Sequence, residues 1–183
     1  MLNIRFMHPC TPAAKEALAD TERQLEVRIP GDYREFLRKV CNGGRPEDNI
    51  FEQDGVSAGV ASFFGVGHPD DDDDMIKVYE IYRDRVPSWL LPVADTDEGN
   101  LICISIRPED EGAVYFWDHE LEAEEGEPPS EENLTRLSDS FSAFASAVRA
   151  TADEEMPPDM QVKRAWVDPA FLEKLNKGEG QGA

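Results

Sequence analysis

Cysteine is scarce in this chain of 183 residues. Cys10, Cys41 and Cys103 are an odd, widely spaced set with no CxxC pair. That excludes a disulfide scaffold or zinc ribbon, and the pattern predicts small buried thiols and a reducing cytoplasm. Long apolar runs are missing too. The longest, Gly59–Val66 and Leu101–Ile106, fall far short of the ~18 residues of a membrane-spanning helix. The opening, Met1-Leu2-Asn3-Ile4-Arg5, leads into polar and helix-capping residues instead of an apolar signal core, so nothing there marks export. Basic residues are few: 18 Lys and Arg face 39 Asp and Glu, for a net charge of −21. A field of that sign repels nucleic acid and anionic membranes and attracts a basic protein.

Catalytic constellations are equally thin. There is no G-x-S-x-G turn, and His8, His68 and His119 stand in unrelated contexts. Cys41 and Cys103 lie in apolar patterns, which raise a thiol's pKa instead of activating it. Gly43-Gly44 and Gly65-Val66-Gly67 lack the lysine and the spacing of a phosphate-binding loop, so no nucleotide cofactor is expected. Asp95-Thr96-Asp97-Glu98-Gly99-Asn100 begins like a calcium loop, but its twelfth position is Ile106 instead of a bidentate glutamate. Asp70–Asp74 reads as a solvated acidic turn. The sequence therefore assigns no catalytic residue, metal ligand or cofactor.

What is present is a regular alternation of helix and strand signals. Thr11-Pro12 opens a first helix, with Thr11 as N-cap and a stripe through Ala14, Leu18 and Leu25. A second follows Pro30, with Tyr33, Phe36, Leu37 and Val40 on one face, and Asn42-Gly43-Gly44 stops it. Ile50–Gln53 and Val60–Val66 are strand candidates. Asp70–Asp74 precede a helix carrying Met75, Val78, Tyr79, Tyr82 and Val86, which Pro87 ends. Leu101–Ile106 and Ala113–Trp117 read as a strand pair around the turn Arg107–Gly112, with Ile102, Ile104 and Ile106 on one face. Tyr115, Phe116 and Trp117 should pack on one side and show on the other. Trp89 and Trp166 fit no pattern. Glu120–Glu132 is an acidic loop, and Leu134, Leu137, Phe141, Phe144 and Val148 trace a closing helix. Past Ala150 the chain turns polar through Met156-Pro157-Pro158, with a short helix expected at Pro169–Lys177. The organisation is one α+β domain over residues 1–150, with an antiparallel or mixed sheet, and an appendage over 151–183.

The order of these motifs resembles the SUKH superfamily, which includes the fungal cell-wall-assembly regulator and many bacterial immunity proteins of polymorphic toxin systems. The resemblance is carried by Ile29-Pro30-Gly31-Asp32-Tyr33-Arg34-Glu35-Phe36-Leu37 and Asn42-Gly43-Gly44-Arg45-Pro46. It continues through Phe63-Phe64-Gly65-Val66, Leu90-Leu91-Pro92-Val93-Ala94-Asp95, Gly99-Asn100-Leu101-Ile102-Cys103-Ile104 and Gly112–Glu120. Ser105-Ile106-Arg107 departs from the Leu-Asp that often ends the Gly-Asn strand. The resemblance implies a non-catalytic domain that binds and neutralises a toxin. The alternatives from other classes are an intracellular scaffold or regulator and an unrecognised enzyme or small-ligand binder.

The charge map adds a surface to that reading. Residues 1–45 carry +2, residues 46–132 carry −21 and residues 133–183 carry −2. A nuclease toxin needs a basic surface to hold nucleic acid, and a dense acidic face would occupy it while speeding association. The candidate partner-binding residues are Asp70, Asp71, Asp72, Asp73 and Asp74 with Asp118, Glu120, Glu122, Glu124 and Glu125. The plain alternative is that both segments are solvated loops.

Overall fold

The computed structural model describes residues 4–124 and 126–149. Glu125, the Met156-Pro157-Pro158 boundary, Trp166 and the helix expected at Pro169–Lys177 lie outside these residues.

Six strands form one sheet in chain order: β1 (Ile50–Gln53), β2 (Val56–Phe63), β3 (Leu90–Thr96), β4 (Leu101–Ser105), β5 (Val114–Trp117) and β6 (Leu134–Ser138). Every neighbouring pair is antiparallel. The fold is therefore α+β, and of the two sheet types expected the antiparallel one is present. Ile50 and Arg149 exchange both backbone hydrogen bonds, at 2.9 and 2.8 Å. The free edge of β1 is thus covered by the chain leaving the last helix, as an exposed edge requires.

α1 (Lys15–Leu25) and α2 (Gly31–Lys39) precede the sheet. Thr11 does not cap α1, which begins at Lys15 after an extended Ala14. The reason is that residues 11–13 bond to the end of α2: Ala13 N donates to Leu37 O and Asn42 N donates to Thr11 O, at 2.8 and 2.9 Å. α2 starts after Pro30 as expected and buries Tyr33, Phe36 and Leu37. Tyr33 T-stacks on Phe141 at 4.7 Å, and Phe36 meets Phe63 at 5.3 Å. The Tyr33 hydroxyl, completely buried, donates to Phe64 O and Val93 O, so this core tyrosine has its polar end satisfied. Asp32 closes the same layer, accepting from Ser142 N at 2.8 Å.

Asn42-Gly43-Gly44 does more than stop α2. Gly44 and Phe63 form a β-bridge, and the Asn42 side chain bonds both backbone groups of Val66, at 2.9 and 3.0 Å. The two backbones cross so closely that a Cβ on Gly43 would lie 2.6 Å from Gly65 N. β2 accordingly ends at Phe63 instead of reaching Val66, and it starts earlier, after a turn at Asp54-Gly55.

α3 (Met75–Tyr82) ends one turn before Val86. The largest corrections concern β3 and β6. Leu90–Thr96 is a central strand despite Pro92, which sits where the β3–β4 register shifts, so its missing N–H falls at an irregularity of the ladder. Leu134–Ser138 is a strand on β5, and α4 (Phe141–Ala147) is shorter than the stripe suggested because Ser140 caps it.

Cys10 and Cys41 are paired as a disulfide with Cα atoms 5.5 Å apart. The expectation of three buried thiols is corrected: Cys10 lies at the surface, and the bridge ties the N-terminal segment to the end of α2. With these two paired, cysteine usage no longer points to a reducing compartment. Cys103 is free and fully buried, and burial pushes its thiol far up from the ordinary range.

Candidate functional site

The two acidic segments lie at opposite ends of α3, an eight-residue helix spanning about 12 Å. The structure does not merge them into one patch.

At the N-terminal end, the five aspartates have different tasks. Asp74 is buried and is the N-cap: it accepts from Ile76 N, Lys77 N and His68 N, at 3.1, 3.3 and 2.8 Å. A carboxylate there satisfies the orphan amides and the helix dipole together. Asp74 is thus a fold determinant and presents little surface to a partner. Asp70, Asp71 and Asp72 are exposed, and Asp73 is half-buried beside a cleft of about 570 Å³. That cleft also takes in His8, Cys10, Arg45, Ser62 and His68, so two histidines from unrelated sequence contexts meet there. His119 stands apart, with Nδ1 2.7 Å from Asn100 Oδ1.

At the C-terminal end, Asp118 caps the 3-10 turn His119–Leu121 by accepting from Glu120 N at 3.0 Å. Glu122 is not a free loop carboxylate. It accepts from Arg85 Nε and Nη2, both at 2.9 Å, and this raises the Arg85 pKa further above its ordinary value. The Arg85 guanidinium also lies 4.7 Å from the Tyr82 ring centre and 5.6 Å from that of Trp117. Glu120 and Glu124 are exposed. Ile81, Asp84, Arg85, Glu122, Glu124 and Glu127 border a cleft of about 460 Å³. Sequence reasoning missed Ile81 and Asp84, which are legible only once α3 is known to end at Tyr82.

A third cluster was also missed. Asp110, in the β4–β5 turn, accepts from Ser105 Oγ, Tyr115 OH and Arg107 Nε and Nη2, at 2.6, 2.5, 2.8 and 3.1 Å. These donors, Arg107 first, hold its carboxyl well below the usual carboxylate range. Arg107 stacks on Trp89 at 3.6 Å, and Trp89 covers Tyr115 edge-on at 5.3 Å. The expected exposed face of Ala113–Trp117 is therefore roofed: only Tyr115 is half-buried, and Val114, Phe116 and Trp117 are buried.

Among the described residues no group of three or more His, Cys, Asp or Glu side chains converges as metal ligands. No helix among them is long and apolar enough to cross a membrane.

This sheet, with its Asn42–Val66 crossing and its β3–β4 hairpin around Gly99-Asn100, can be set beside known proteins. The model of the SMI1 / KNR4 family (SUKH-1) matches residues 12–147. The chain belongs to the SMI1/KNR4 family. A relative of this SUKH-1 chain is the SPbeta prophage-derived uncharacterized protein YokK of Bacillus subtilis (strain 168), 28% identical. The match covers 58% of this chain and 62% of the relative, so the chain spans less than two thirds of that protein's length.

Proposed function

We propose that this SUKH-1 chain is a non-enzymatic immunity protein that binds and neutralises a cognate toxin, and that the toxin is a basic nuclease. The observation that carries the reading is the confinement of the whole net charge of −21 to residues 46–132. Of those carboxylates, Asp70, Asp71, Asp72, Glu120 and Glu124 stand exposed at the two ends of one short helix. Such a field raises the encounter rate with a cationic partner, and a neutraliser must reach its toxin before the toxin reaches its substrate. A nuclease acts on nucleic acid, so the proposed place of action is the cytoplasm.

The absence of catalysis is part of the proposal. Cys103 is buried with a raised pKa, Cys41 is paired, and His119 is held by Asn100. None of these offers an activated nucleophile.

The test is co-expression with the polypeptide encoded beside this chain's gene, read out as survival and as a complex on size-exclusion chromatography. The expected result is rescue and a stable complex. Survival without complex formation, or turnover by the isolated chain in a hydrolase and nuclease screen, would overturn the proposal.

A further inference from the structure

We infer that the partner docks where α3 ends against the Asp118–Glu124 segment. The docked segment is basic and carries an aliphatic side chain beside its Lys or Arg. This rests on the reading that the chain works by binding a protein, and it selects one of the two acidic ends.

Three large apolar side chains are well exposed among the described residues: Met7 at 55%, Ile81 at 61% and Leu121 at 64%. Two of the three belong to this corner. Ile81 borders the cleft, and Leu121 immediately precedes Glu122, which borders it too. The buried residues of α3 are Met75 and Val78, so the core makes little use of Ile81. Leu121 closes a 3-10 turn that buries none of its residues.

The charges around these side chains are one-sided. Asp84, Glu122, Glu124 and Glu127 border the cleft against one cation, Arg85, which leaves a net charge of −3. Arg85 is already engaged by Glu122 through two hydrogen bonds and is anchored over Tyr82 and Trp117. Among the described residues Asp84 meets only its chain neighbour Arg83, at 3.6 Å in a solvated pair of little strength. Asp84, Glu124 and Glu127 thus remain for a partner's cations, and Ile81 and Leu121 for its apolar surface. A segment offering only charge would leave the aliphatic groups in water, and a purely apolar one would desolvate carboxylates without pairing them. At the N-terminal end of α3 the exposed Met7 likewise adjoins cleft residues, Phe6 and His8, but Arg45 there balances Asp73, so that lining carries no net negative charge for a cation. That cleft also contains two histidines, and Asp74 is consumed as a cap.

The test uses two fluorescein-labelled synthetic peptides of equal charge, one alternating Lys and Leu, the other Lys and Ser. Fluorescence anisotropy at low salt gives their affinities for the full chain. The Lys–Leu peptide should bind about tenfold more tightly, the scale of burying an aliphatic side chain. Ile81→Ser combined with Leu121→Ser should abolish that preference and leave Lys–Ser binding unchanged. Asp70→Asn, Asp71→Asn and Asp72→Asn together should leave the preference intact. Circular dichroism checks that each variant folds, and single Ile81→Ser and Leu121→Ser proteins replace a double variant that does not. Equal binding of the two peptides by the wild type overturns the inference, as does a preference that survives loss of both side chains. No toxin is needed for this readout, so a chain that shows the preference but fails to rescue cells overturns the toxin reading alone.

Discussion

Arg85 donates to Glu122 through Nε and Nη2, both at 2.9 Å, and so fastens the acidic segment after β5 to the chain just past α3. The pair is partly exposed, with side-chain accessibilities of 40% and 31%, which keeps its contribution modest. Its two-pronged geometry and the rings beneath Arg85 place it at the upper end of that range.

Reversing Glu122 is therefore not neutral for the fold. Glu122→Lys sets an ammonium against Arg85, and stability should fall by about 1 kcal/mol, or a few degrees in Tm. Glu124→Lys, without such a partner, should leave Tm unchanged. A double-mutant cycle of Arg85→Ala and Glu122→Ala, followed by thermal unfolding, should return a coupling of about 0.5–1 kcal/mol. Additive effects would show that the pair contributes nothing.

The Gly43–Gly65 crossing should be the least forgiving site outside the aromatic core. Gly43 has φ +83°, and its added Cβ would meet Gly65 N at 2.6 Å and Phe63 O at 2.7 Å. Both are backbone atoms that cannot step aside. Gly43→Ala should cost about 3 kcal/mol or more, combining left-handed strain with a clash. Gly55→Ala has a positive φ and open space around it, and should cost only about 1 kcal/mol. Chemical denaturation of the two variants compares them directly; equal losses would mean that the crossing is not tight.

How legible was this in the sequence? α2 was, because Pro30 sets its start and Tyr33, Phe36 and Leu37 repeat at helical spacing onto one buried face. β1 and the β4–β5 pair were, because their apolar runs are short and bounded by turn residues. Asp54-Gly55 was an overlooked signal: a two-residue Asp-Gly turn is a strong hairpin marker, and it would have moved the start of β2 to Val56. β3 was hidden by Pro92, which argues against a central strand until a register shift accommodates it. β6 was hidden because Leu134 and Leu137 happen to continue the helical spacing of Phe141 and Phe144. Only pairing with β5, a tertiary effect, distinguishes the two. In the candidate site, sequence located the carboxylates but not their tasks. Nothing read in the aspartate run singled out Asp74 as the cap, and the Arg85–Glu122 pair joins residues 37 apart and left no local trace.

Asp95 supplies a pH dependence. It sits half-buried in β3 and accepts from Ser62 N at 2.8 Å. Burial pushes its carboxyl up to about 6, with Asp73 and Asp97 adding to the effect. A raised carboxylate pKa favours the protonated folded state. Its contribution is fully present below the unfolded value of about 4 and is lost as pH rises through about 6. Asp95→Asn keeps the acceptor for Ser62 N and removes the titration. The variant should melt a few degrees above wild type at pH 7.5, and the difference should vanish by pH 4. A Tm difference that does not change between pH 4 and pH 7.5 would place the Asp95 pKa in the ordinary range.

Charge steering can be probed with variants that spare the fold. Asp74, Asp118 and Glu122 are left untouched because they cap α3, cap the 3-10 turn and hold Arg85. One variant carries Glu124→Lys with Glu127→Lys, the other Asp70→Lys, Asp71→Lys and Asp72→Lys. All five positions are exposed, so the first variant should keep the wild-type Tm. The second should lose a little, because Asp70 Oδ1 accepts from Asp72 N at 3.2 Å and lysines oppose the dipole at the start of α3. Association with the proposed toxin partner is followed by stopped flow across a salt series. Exposed charges are screened beyond ~8 Å at physiological ionic strength, so the wild-type rate should fall steeply as salt rises. Both variants should associate more slowly at low salt, by about tenfold, and should converge on wild type at high salt, because steering acts through the field of the whole segment. Dissociation should accelerate only for the Glu124 and Glu127 variant, because an interaction that holds the docked state together governs the off-rate. Equal acceleration in both variants would spread the interface over both ends of α3, and salt-independent association by all three proteins would reduce the acidic segments to solvated loops.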